Sequence, residues 1–344
     1  MNGDLGNSRA MARLAIVAVA VLLAASAAIF GRLAAQPINN EPITPLPRET
    51  AIGPEGGKVD LGRRLFHDKR LSRGGDLSCA SCHDLARGGA DPRPKPIGCD
   101  GEPLDYNPPT VFNAGANFRL NWRGNFRTFE EQNEAVLLDP RLMGMTWPEL
   151  LARLLADAGY QAAFQAAYRS PPERAHVLDS LAAFQRSLVT PDARFDRYLR
   201  GERDAITPEE QRGYRLFKEY GCAACHQGVN VGGNLFQQFG VFHNPFAERA
   251  NIAEADLGRL TLTGKLSDRH VFRVPSLRNV AVTAPYFHDG SAATLSEAVE
   301  IMGRSQLGRE LFQEDIGHIV AFLETLTGTY QGRALDGRAD GKSQ

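Results

Sequence analysis

Methionine and cysteine are scarce in this chain of 344 residues, with five of each, and neither sign of charge dominates. The formal net charge of −1 argues against nucleic acid as a partner, because nucleic-acid binding favours a basic face. The odd number of cysteines argues against a simple framework of disulfides. The sequence contains no sustained alternation of apolar and polar residues, so little sheet is expected.

Four of the cysteines form two Cys-x-x-Cys-His motifs. This pattern is typical of c-type haem attachment, in which two thiols form thioethers with the haem vinyl groups and the histidine binds the iron. A zinc site is the alternative, but its four ligands would have to come from motifs far apart in the chain. The sequence therefore predicts two covalent c-type haems. Their attachment residues are Cys79, Cys82 and His83 for the first haem, and Cys222, Cys225 and His226 for the second.

An apolar run from Leu14 to Phe30 follows Arg9 and Arg13 near the start of the chain. A basic flank before an apolar stretch predicts a signal peptide or a signal anchor over residues 1–35, rather than a buried core helix. The run is long for a cleaved signal and short for a membrane span of about 20 residues. Cleavage and membrane anchoring therefore both stay open. Export agrees with the haem motifs, because haem is attached outside the cytoplasm.

The body of the chain contains a weak internal repeat. In residues 61–83 and again in 212–226, a helical stretch with a Leu-Phe pair leads into a haem-attachment motif. The repeat predicts two related haem domains with a boundary near 200. The expected order after the export segment is a proline-rich tether, an N-terminal haem domain, a C-terminal haem domain and a polar tail, over residues 36–50, 51–200, 201–330 and 331–344.

Most of the periodic segments are helical. Three of them have apolar residues at i, i+3 and i+4 spacing, namely 148–155, 176–188 and 313–326. Thr207 and Glu210 are typical of a capping box with proline in the first turn, and Thr294 with Glu297 is a second candidate. We therefore expect a mostly α fold of two cytochrome c-like haem domains, with long loops held by haem rather than by sheet.

Each iron has a sixth coordination position, and its occupant separates electron transfer from chemistry with a small molecule. A methionine in that position raises the haem potential and suits electron transfer. Met1 and Met11 lie in the predicted export segment, so three candidates remain: Met143, Met145 and Met302. Spacing alone does not choose among these three residues.

Long segments of the sequence resemble the bacterial di-haem cytochrome c peroxidases, whose fold is shared by the related MauG-type oxidases. They include "SCASCHDLARGGAD", "NPPTVFNAGAN", "LFKEYGCAACHQGVNVGGNLFQ" and "RVPSLRNVAVTAPYFHDGSAATLSEAVEIM", and the resemblance covers roughly residues 50–330. It implies a low-potential haem in the N-terminal half, where hydrogen peroxide is reduced. It also implies a high-potential haem in the C-terminal half, which collects electrons from a small cytochrome c or cupredoxin. A periplasmic location and a homodimer are further expectations.

The resemblance also implies roles for individual residues. His226 and Met302 would be the axial ligands of the high-potential haem, and Met302 favours the peroxidase branch because the MauG-type oxidases have tyrosine there. Trp122 would be a relay between the haems, and Gln132 would lie on the peroxide side. A calcium ion between the domains would have as ligands the Asn107 side chain and the carbonyls of Thr283 and Pro285. Asn107 could instead cap a turn.

Two residues depart from the family pattern. Cys99 occupies the position of the distal histidine of the low-potential haem, and Leu142 that of a glutamate that moves protons during peroxide cleavage. Cys99 could bind the N-terminal haem as a thiolate or be a free thiol, and leucine cannot act as a general acid or base. Asp139 or Glu134 could replace the glutamate. Alternative functions are therefore an electron-transfer or redox-sensing cytochrome without turnover, or a MauG-type oxidase.

Overall fold

The computed structural model describes residues 41–48 and 56–335. Helices dominate these residues, and sheet is limited to two short antiparallel pairs, so the prediction of a mostly α fold is confirmed. In chain order the helices are α1 (Gly56–His67), α2 (Phe129–Leu138), α3 (Trp147–Leu155), α4 (Ala158–Tyr168), α5 (Arg174–Ser187), α6 (Arg194–Leu199), α7 (Pro208–Glu219), α8 (Leu260–Thr263), α9 (Leu295–Leu307) and α10 (Gln313–Glu324). The strands are β1 (Phe236–Gln238), β2 (Val271–Arg273), β3 (Thr329–Tyr330) and β4 (Arg333–Ala334), with β1 paired to β2 and β3 to β4.

Helices α1 and α5 form the framework of the N-terminal half, and they cross at a glycine. A Cβ atom on Gly62 would lie 1.9 Å from the Ser180 carbonyl oxygen, so only glycine permits this approach. Phe66, one turn further along α1, packs edge-on against Phe184 with ring centroids 5.3 Å apart. The crossing fixes the end of α1 from which the chain continues to the first attachment motif.

Helices α7 and α10 repeat this arrangement in the C-terminal half. A Cβ atom on Gly213 would lie 1.8 Å from the His318 carbonyl oxygen, and Phe217 packs against Phe322 with ring centroids 5.2 Å apart. Gly213 precedes Phe217 by the same four residues that separate Gly62 from Phe66. The repeat seen in the sequence is therefore also a repeat of helix packing.

Each helix pair has its own apolar core. The N-terminal core includes the buried Met143 and Met145 and packs against Cys79. The C-terminal core includes most of the apolar residues of α7 and α10 and packs against Cys222. The first cysteine of each motif therefore lies against the core of its own half, which fixes where a haem attached there would sit.

The helices predicted from apolar spacing are present with small shifts of their ends. Segments 148–155, 176–188 and 313–326 correspond to α3, α5 and α10. Thr207 and Glu210 form the expected capping box at the start of α7. Thr294 caps α9 by accepting from the Glu297 N–H. In a capping box the Glu297 carboxylate would accept from the Thr294 N–H, but here it accepts from the N–H of the preceding residue, Ala293.

Residues 41–48, which lie in the predicted proline-rich tether 36–50, are docked on the folded body. Ile43 is 1% exposed and belongs to the C-terminal core, and Leu46 is 3% exposed. The Thr44 N–H donates to the Gly228 carbonyl, two residues after His226, and Arg278 donates to the Thr44 carbonyl. The two apolar side chains in this proline-rich stretch find a buried site, so the segment docks instead of remaining free.

The ends of the chain bear on two further expectations. The predicted export segment 1–35 lies outside the described residues, as does 336–344 of the predicted polar tail. Residues 331–335 complete the β3–β4 pair, and Leu335 packs against the N-terminal core. Across 41–48 and 56–335, none of the helices is both long and apolar enough to cross a membrane.

Candidate functional site

The first attachment motif follows α1 as a single turn of 3-10 helix, Cys79–Ser81. The His83 N–H donates to the Cys79 carbonyl, and the His83 Nδ1 atom lies 3.3 Å from the Gly89 carbonyl oxygen. When Nδ1 carries the proton toward that carbonyl, the Nε2 lone pair remains available for a metal. The Val111 N–H donates to the same Gly89 carbonyl, so the acceptor behind His83 is held from a second segment.

The second motif, after α7, has the same local geometry. A 3-10 turn, Cys222–Ala224, places His226 with its N–H on the Cys222 carbonyl. The His226 Nδ1 atom lies 3.3 Å from the Val231 carbonyl oxygen, which also accepts from the Leu277 N–H. Both histidines are therefore oriented by a backbone carbonyl that is itself held by another backbone N–H.

The protonation states of these groups fit haem attachment. Burial lowers the pKa of His83, and it lowers the pKa of His226 to about 4, so both imidazoles are neutral and can bind iron. Burial raises the pKa of Cys79 to about 12 and that of Cys222 to about 11. The four motif cysteines form no disulfide, so their thiols are free to form thioethers. The donor set at both motifs thus fits a c-type haem.

A cavity of about 450 Å³ opens beside the second motif. Cys222, Cys225, His226 and Met302 all line it, so the structure brings the four predicted residues of the C-terminal haem to one space. Met302 projects from α9, whereas Met143 and Met145 are buried in the N-terminal core. Of the three candidate methionines, Met302 is the one that shares a cavity with His226.

Trp122 also lines this cavity, close to where the two halves meet. Its indole N–H donates to the Asn107 carbonyl at 2.7 Å, and its own carbonyl accepts from the Arg273 N–H. The Arg273 guanidinium is buried and donates to the Asn121 carbonyl, while burial lowers its pKa to about 10. Gln132, on α2, donates to the Asn121 side chain. Trp122 and Gln132 are thus joined through Asn121, the residue next to the tryptophan.

Sequence reasoning missed Arg273 and Asn121. Arg273 stands at the start of the segment "RVPSLRN", which carried the family resemblance, but nothing in that segment assigned it a role. Asn121 has φ of 64°, a left-handed conformation that asparagine tolerates better than most residues. An asparagine directly before the tryptophan is the signal that could have suggested a turn at this point.

The three predicted calcium ligands line the cavity that also contains His226. Asn107, Thr283 and Pro285 all line it. The Asn107 amide donates its N–H groups to the carbonyls of Arg93 and Pro94, which orients the amide. Within the described part of the chain, no hydrogen bond reaches the Asn107 Oδ1 atom or the backbone oxygens of Thr283 and Pro285. Oxygens without a hydrogen-bond donor on three residues of one cavity are of the ligand type that a hard cation such as calcium takes.

A second polar cluster, behind Trp122, is an ion-pair network. His288 Nε2 lies 2.8 Å from Asp256 Oδ1, and the His288 ring meets the Trp122 ring edge-on at 6.4 Å. Arg249 bridges Asp256 and Asp289. Burial acts to raise the pKa of Asp256, but the hydrogen bond from His288 and the charge of Arg249 hold it down at about 2. Because Arg249 already neutralises both carboxylates, the cluster is better suited to supporting the tryptophan than to binding a cation.

The two departures from the family pattern lie next to each other in space. The Cys99 N–H donates to the Arg141 carbonyl at 3.0 Å, and its thiol lies 3.1 Å from the Pro140 carbonyl oxygen. Arg141 directly precedes Leu142, and the same loop continues into the buried Met143. Cys99 and Leu142 therefore belong to one pair of loops in contact with each other.

Neither carboxylate considered as a replacement for the glutamate is free. Glu134 accepts from Trp147 and Arg174, and although partial burial opposes it, these bonds leave its pKa below the usual value. The Asp139 carboxylate accepts from the Arg141 N–H. Because both carboxylates already accept hydrogen bonds within the protein, neither is an evident substitute for the glutamate.

Comparison with known proteins places these features in a family. Residues 56–204 match the family model described as di-haem cytochrome c peroxidase. The cytochrome c551 peroxidase of Nitrosomonas europaea is 41% identical over 292 residues, which are 84% of this chain and 85% of that protein. The chain belongs to the di-haem cytochrome c peroxidase family. Family membership implies covalent haem c, in agreement with both attachment motifs.

Two further relatives extend the comparison. The cytochrome c peroxidase Ccp of Escherichia coli is 41% identical over 293 residues, which are 85% of this chain but only 62% of that protein. The chain thus spans less than two thirds of the length of this relative. A solved MauG-like protein associated with microbial copper homeostasis has 31% identity and a TM-score of 0.73, covering 87% of this chain and 97% of that one. The chain therefore shares the fold of this MauG-like protein.

Proposed function

We propose that this chain is a periplasmic di-haem c-type peroxidase that reduces hydrogen peroxide with electrons from a small reduced donor protein. The reaction balances as one peroxide, two electrons and two protons giving two waters, with two donors each supplying one electron. The observation that carries the proposal is the pair of attachment motifs, each with a neutral, carbonyl-oriented histidine. When bound, the haem at His226 supplies an electron store and the haem at His83 supplies the redox chemistry of peroxide.

In the C-terminal half, His226 and Met302 would hold the iron from its two sides. Methionine raises the potential, which suits acceptance of electrons from a donor. Val241 and Phe242 line the same cavity and also reach the surface, where Phe242 is 69% exposed. We assign this apolar mouth to contact with the donor, a small cytochrome c or cupredoxin, because exposed apolar patches mark protein interaction sites.

Between the halves, Trp122 is proposed to relay electrons from one haem to the other. Its indole N–H is held by the Asn107 carbonyl and its backbone carbonyl by the Arg273 N–H, so the residue does not need to reorganise when an electron passes. The calcium ion proposed at Asn107, Thr283 and Pro285 would support the same region, because Asn107 holds the Trp122 indole as well. Calcium binding at Asn107 should therefore help to fix the orientation of the Trp122 ring. Removal of calcium by a chelator should slow electron transfer between the haems.

In the N-terminal half, Gln132 remains as a polar group on the peroxide side, and Leu142 supplies no proton. Cys99 is proposed as the ligand opposite His83 in the oxidised protein, since an anionic sulfur stabilises ferric iron. If Cys99 holds the haem in the oxidised protein, its loop would have to move before peroxide could bind there. Its bonds to the backbone of residues 140 and 141 are the contacts that would hold it in the moved position.

The remaining expectations complete the proposal. We assign residues 1–35 to export, with a cleaved signal and a membrane anchor as the two outcomes, and 51–200 and 201–330 to the two haem domains. A homodimer is proposed by analogy with the family. Mass spectrometry of the exported protein separates cleavage from anchoring, and sedimentation measures the oligomeric state.

The direct test is peroxide-dependent oxidation of a reduced small c-type cytochrome by the protein carrying both haems. A matched pair of variants localises the electron acceptor. Met302→Leu should lower the potential of the C-terminal haem and slow donor-driven turnover at least about tenfold, equivalent to ~1.4 kcal/mol. Met143→Leu, the same change in the N-terminal core, should leave both unchanged. Absence of turnover in the oxidised and in the half-reduced protein would refute the peroxidase assignment.

A second function, electron transfer or redox sensing without turnover, is favoured by Cys99 and Leu142. It predicts an N-terminal haem that keeps six ligands in every redox state and does not react with peroxide. A MauG-type oxidase is disfavoured by Met302, where that branch has tyrosine. Rapid reaction of the half-reduced protein with peroxide excludes the non-turnover function.

A further inference from the structure

A buried set of hydrogen bonds joins the two haem halves at Thr190. The Asn113 amide donates to the Thr190 hydroxyl at 2.8 Å, and the Thr190 N–H donates to the Asn113 Oδ1 atom at 3.0 Å. The Asn279 amide donates to the same hydroxyl at 3.0 Å, and the hydroxyl lies 3.3 Å from Asn279 Oδ1. Thr190 is 1% exposed and Asn279 is fully buried. One hydroxyl therefore satisfies an asparagine from each half, where water cannot replace it.

Each asparagine lies two residues after the backbone N–H that holds a histidine-orienting carbonyl. These carbonyls belong to Gly89, which orients His83, and to Val231, which orients His226. Val111, whose N–H donates to the carbonyl behind His83, is two residues before Asn113. Leu277, whose N–H donates to the carbonyl behind His226, is two residues before Asn279. Asn113 has φ of 58° and Asn279 of 60°, so both turn the chain in the left-handed conformation.

The hydrogen bonds around Thr190, here called the Thr190 bridge, join equivalent positions of the two repeated halves. The Asn113 N–H donates to the Leu188 carbonyl, and the Asn279 N–H donates to the Leu326 carbonyl. Thr190 lies two residues after Leu188, and its N–H donates to the Asn113 Oδ1 atom. Gly328 lies two residues after Leu326, and its N–H donates to the Asn279 Oδ1 atom. The two positions are thus equivalent, but one carries a side chain and the other does not.

The difference between the two positions has a steric cause. A Cβ atom on Gly328 would lie 2.1 Å from the Thr190 carbonyl oxygen, so only one of the two halves can supply a side chain. The Thr190 hydroxyl consequently serves both asparagines. The connection runs without interruption from the carbonyl behind His83, through Asn113, Thr190 and Asn279, to the carbonyl behind His226.

We propose that the Thr190 hydroxyl is a positioning group shared by both haem sites, which transmits a change at the proximal histidine of one haem to that of the other. The inference rests on haem attachment at both motifs, as proposed above. It adds a route between the haems on the side opposite their distal ligands and distinct from Trp122. A merely structural bridge would affect stability alone, whereas a shared positioning group also affects the spectrum of one haem when the other is reduced.

The test is the electron paramagnetic resonance spectrum of the N-terminal haem in the fully oxidised protein and after one-electron reduction at the C-terminal haem. In the wild type, reduction should shift this spectrum. Thr190→Val, which removes the hydroxyl and nearly preserves shape, should at least halve the shift, and Thr190→Ser should restore it. Thr325→Val is the matched control, because Thr325 is equally buried but only caps α10 through the Phe322 carbonyl.

The outcomes separate this inference from the proposed function. Haem content is measured first, and a protein without two covalent haems would refute the function itself. If Thr190→Val binds both haems and keeps the wild-type shift, or if Thr325→Val reduces the shift equally, the shared positioning role is wrong. A wild type in which reduction causes no shift also overturns it.

A second measurement uses the wild type and so does not depend on folding of a variant. Hydrogen exchange is followed at the Thr190 and Gly328 amides, each of which donates to one asparagine of the bridge. Reduction of the C-terminal haem alone should change the protection of both amides together. A change confined to Gly328 would mean that the signal stops within the C-terminal half, which contradicts the proposal.

Discussion

The two haem halves of this protein are nearly the same behind the proximal histidine and different in front of the haem. Behind it, each half has a helix pair crossing at glycine, a 3-10 turn and a histidine held by a carbonyl. Elsewhere they differ: the C-terminal half presents Met302 to the cavity that His226 lines, and the N-terminal half carries the contacting loops of Cys99 and Leu142, which we propose face its haem. The shared part is the one that fits haem attachment, and we propose that the differing part decides what each haem does.

This difference separates what is required for binding haem from what is required for reactivity. The crossings at Gly62 and Gly213 leave no room for a side chain, so they constrain the scaffold strongly. Cys99 itself makes two hydrogen bonds to backbone carbonyls and lies partly exposed, and Arg141 also binds Asp105 and the Pro103 carbonyl in the same loop. A scaffold fixed by close packing can tolerate changes of distal chemistry without loss of the fold.

The largest effect is expected from restoring a proton-transfer group to the N-terminal half. Leu142→Glu should speed the reaction of the half-reduced protein with peroxide by about 100-fold or more, because general acid–base catalysis contributes roughly 10²–10⁴-fold. Stopped-flow absorbance measures the rate. Leu142→Gln is the control, since it has a similar size but cannot transfer a proton. Equal rates for the two variants would show that Leu142 is not at the proton-transfer position.

The next effect tests whether the two proximal scaffolds are equivalent. Gly62→Ala and Gly213→Ala should each lower the free energy of unfolding by about 1–3 kcal/mol, because the added methyl group overpacks a helix crossing. Gly317→Ala, on α10 with no atom near the added methyl, should instead raise it by up to about 1 kcal/mol. Urea denaturation measures all three. A strong effect in only one of the two crossings would break the equivalence.

The smallest effect concerns the Asp256 network of the C-terminal half. The pKa of Asp256, about 2, lies below the ordinary value of 3.8. The ionised carboxylate therefore adds to the free energy of unfolding above about pH 4, and this contribution is lost as the pH falls toward 2. Asp256→Asn should cost about 1–2 kcal/mol at neutral pH, and the difference from wild type should shrink on acidification. Glu310→Gln, at an exposed position, is the control. A difference that stays constant down to pH 2 would contradict the assignment.

The sequence predicted the helical fold, the attachment motifs and the main helices because each leaves a local pattern of spacing or residue type. It did not predict the docking of residues 41–48, which depends on a buried site formed by distant residues such as Arg278. The roles of Arg273 and Thr190 were also out of reach, since each depends on partners far apart in the chain. The assignments of Met302, Cys99 and the calcium ligands came from resemblance and stay predictions.

The central claim is that the N-terminal haem accepts peroxide although Cys99 replaces the distal histidine of the family. Electron paramagnetic resonance of the oxidised and one-electron-reduced protein, with Cys99→Ser alongside, tests it most directly. The account predicts a low-spin thiolate signal that is absent from Cys99→Ser and that becomes high-spin and peroxide-reactive on half-reduction. An N-terminal haem that stays low-spin and inert after half-reduction would contradict the account and identify an electron-transfer or sensing protein.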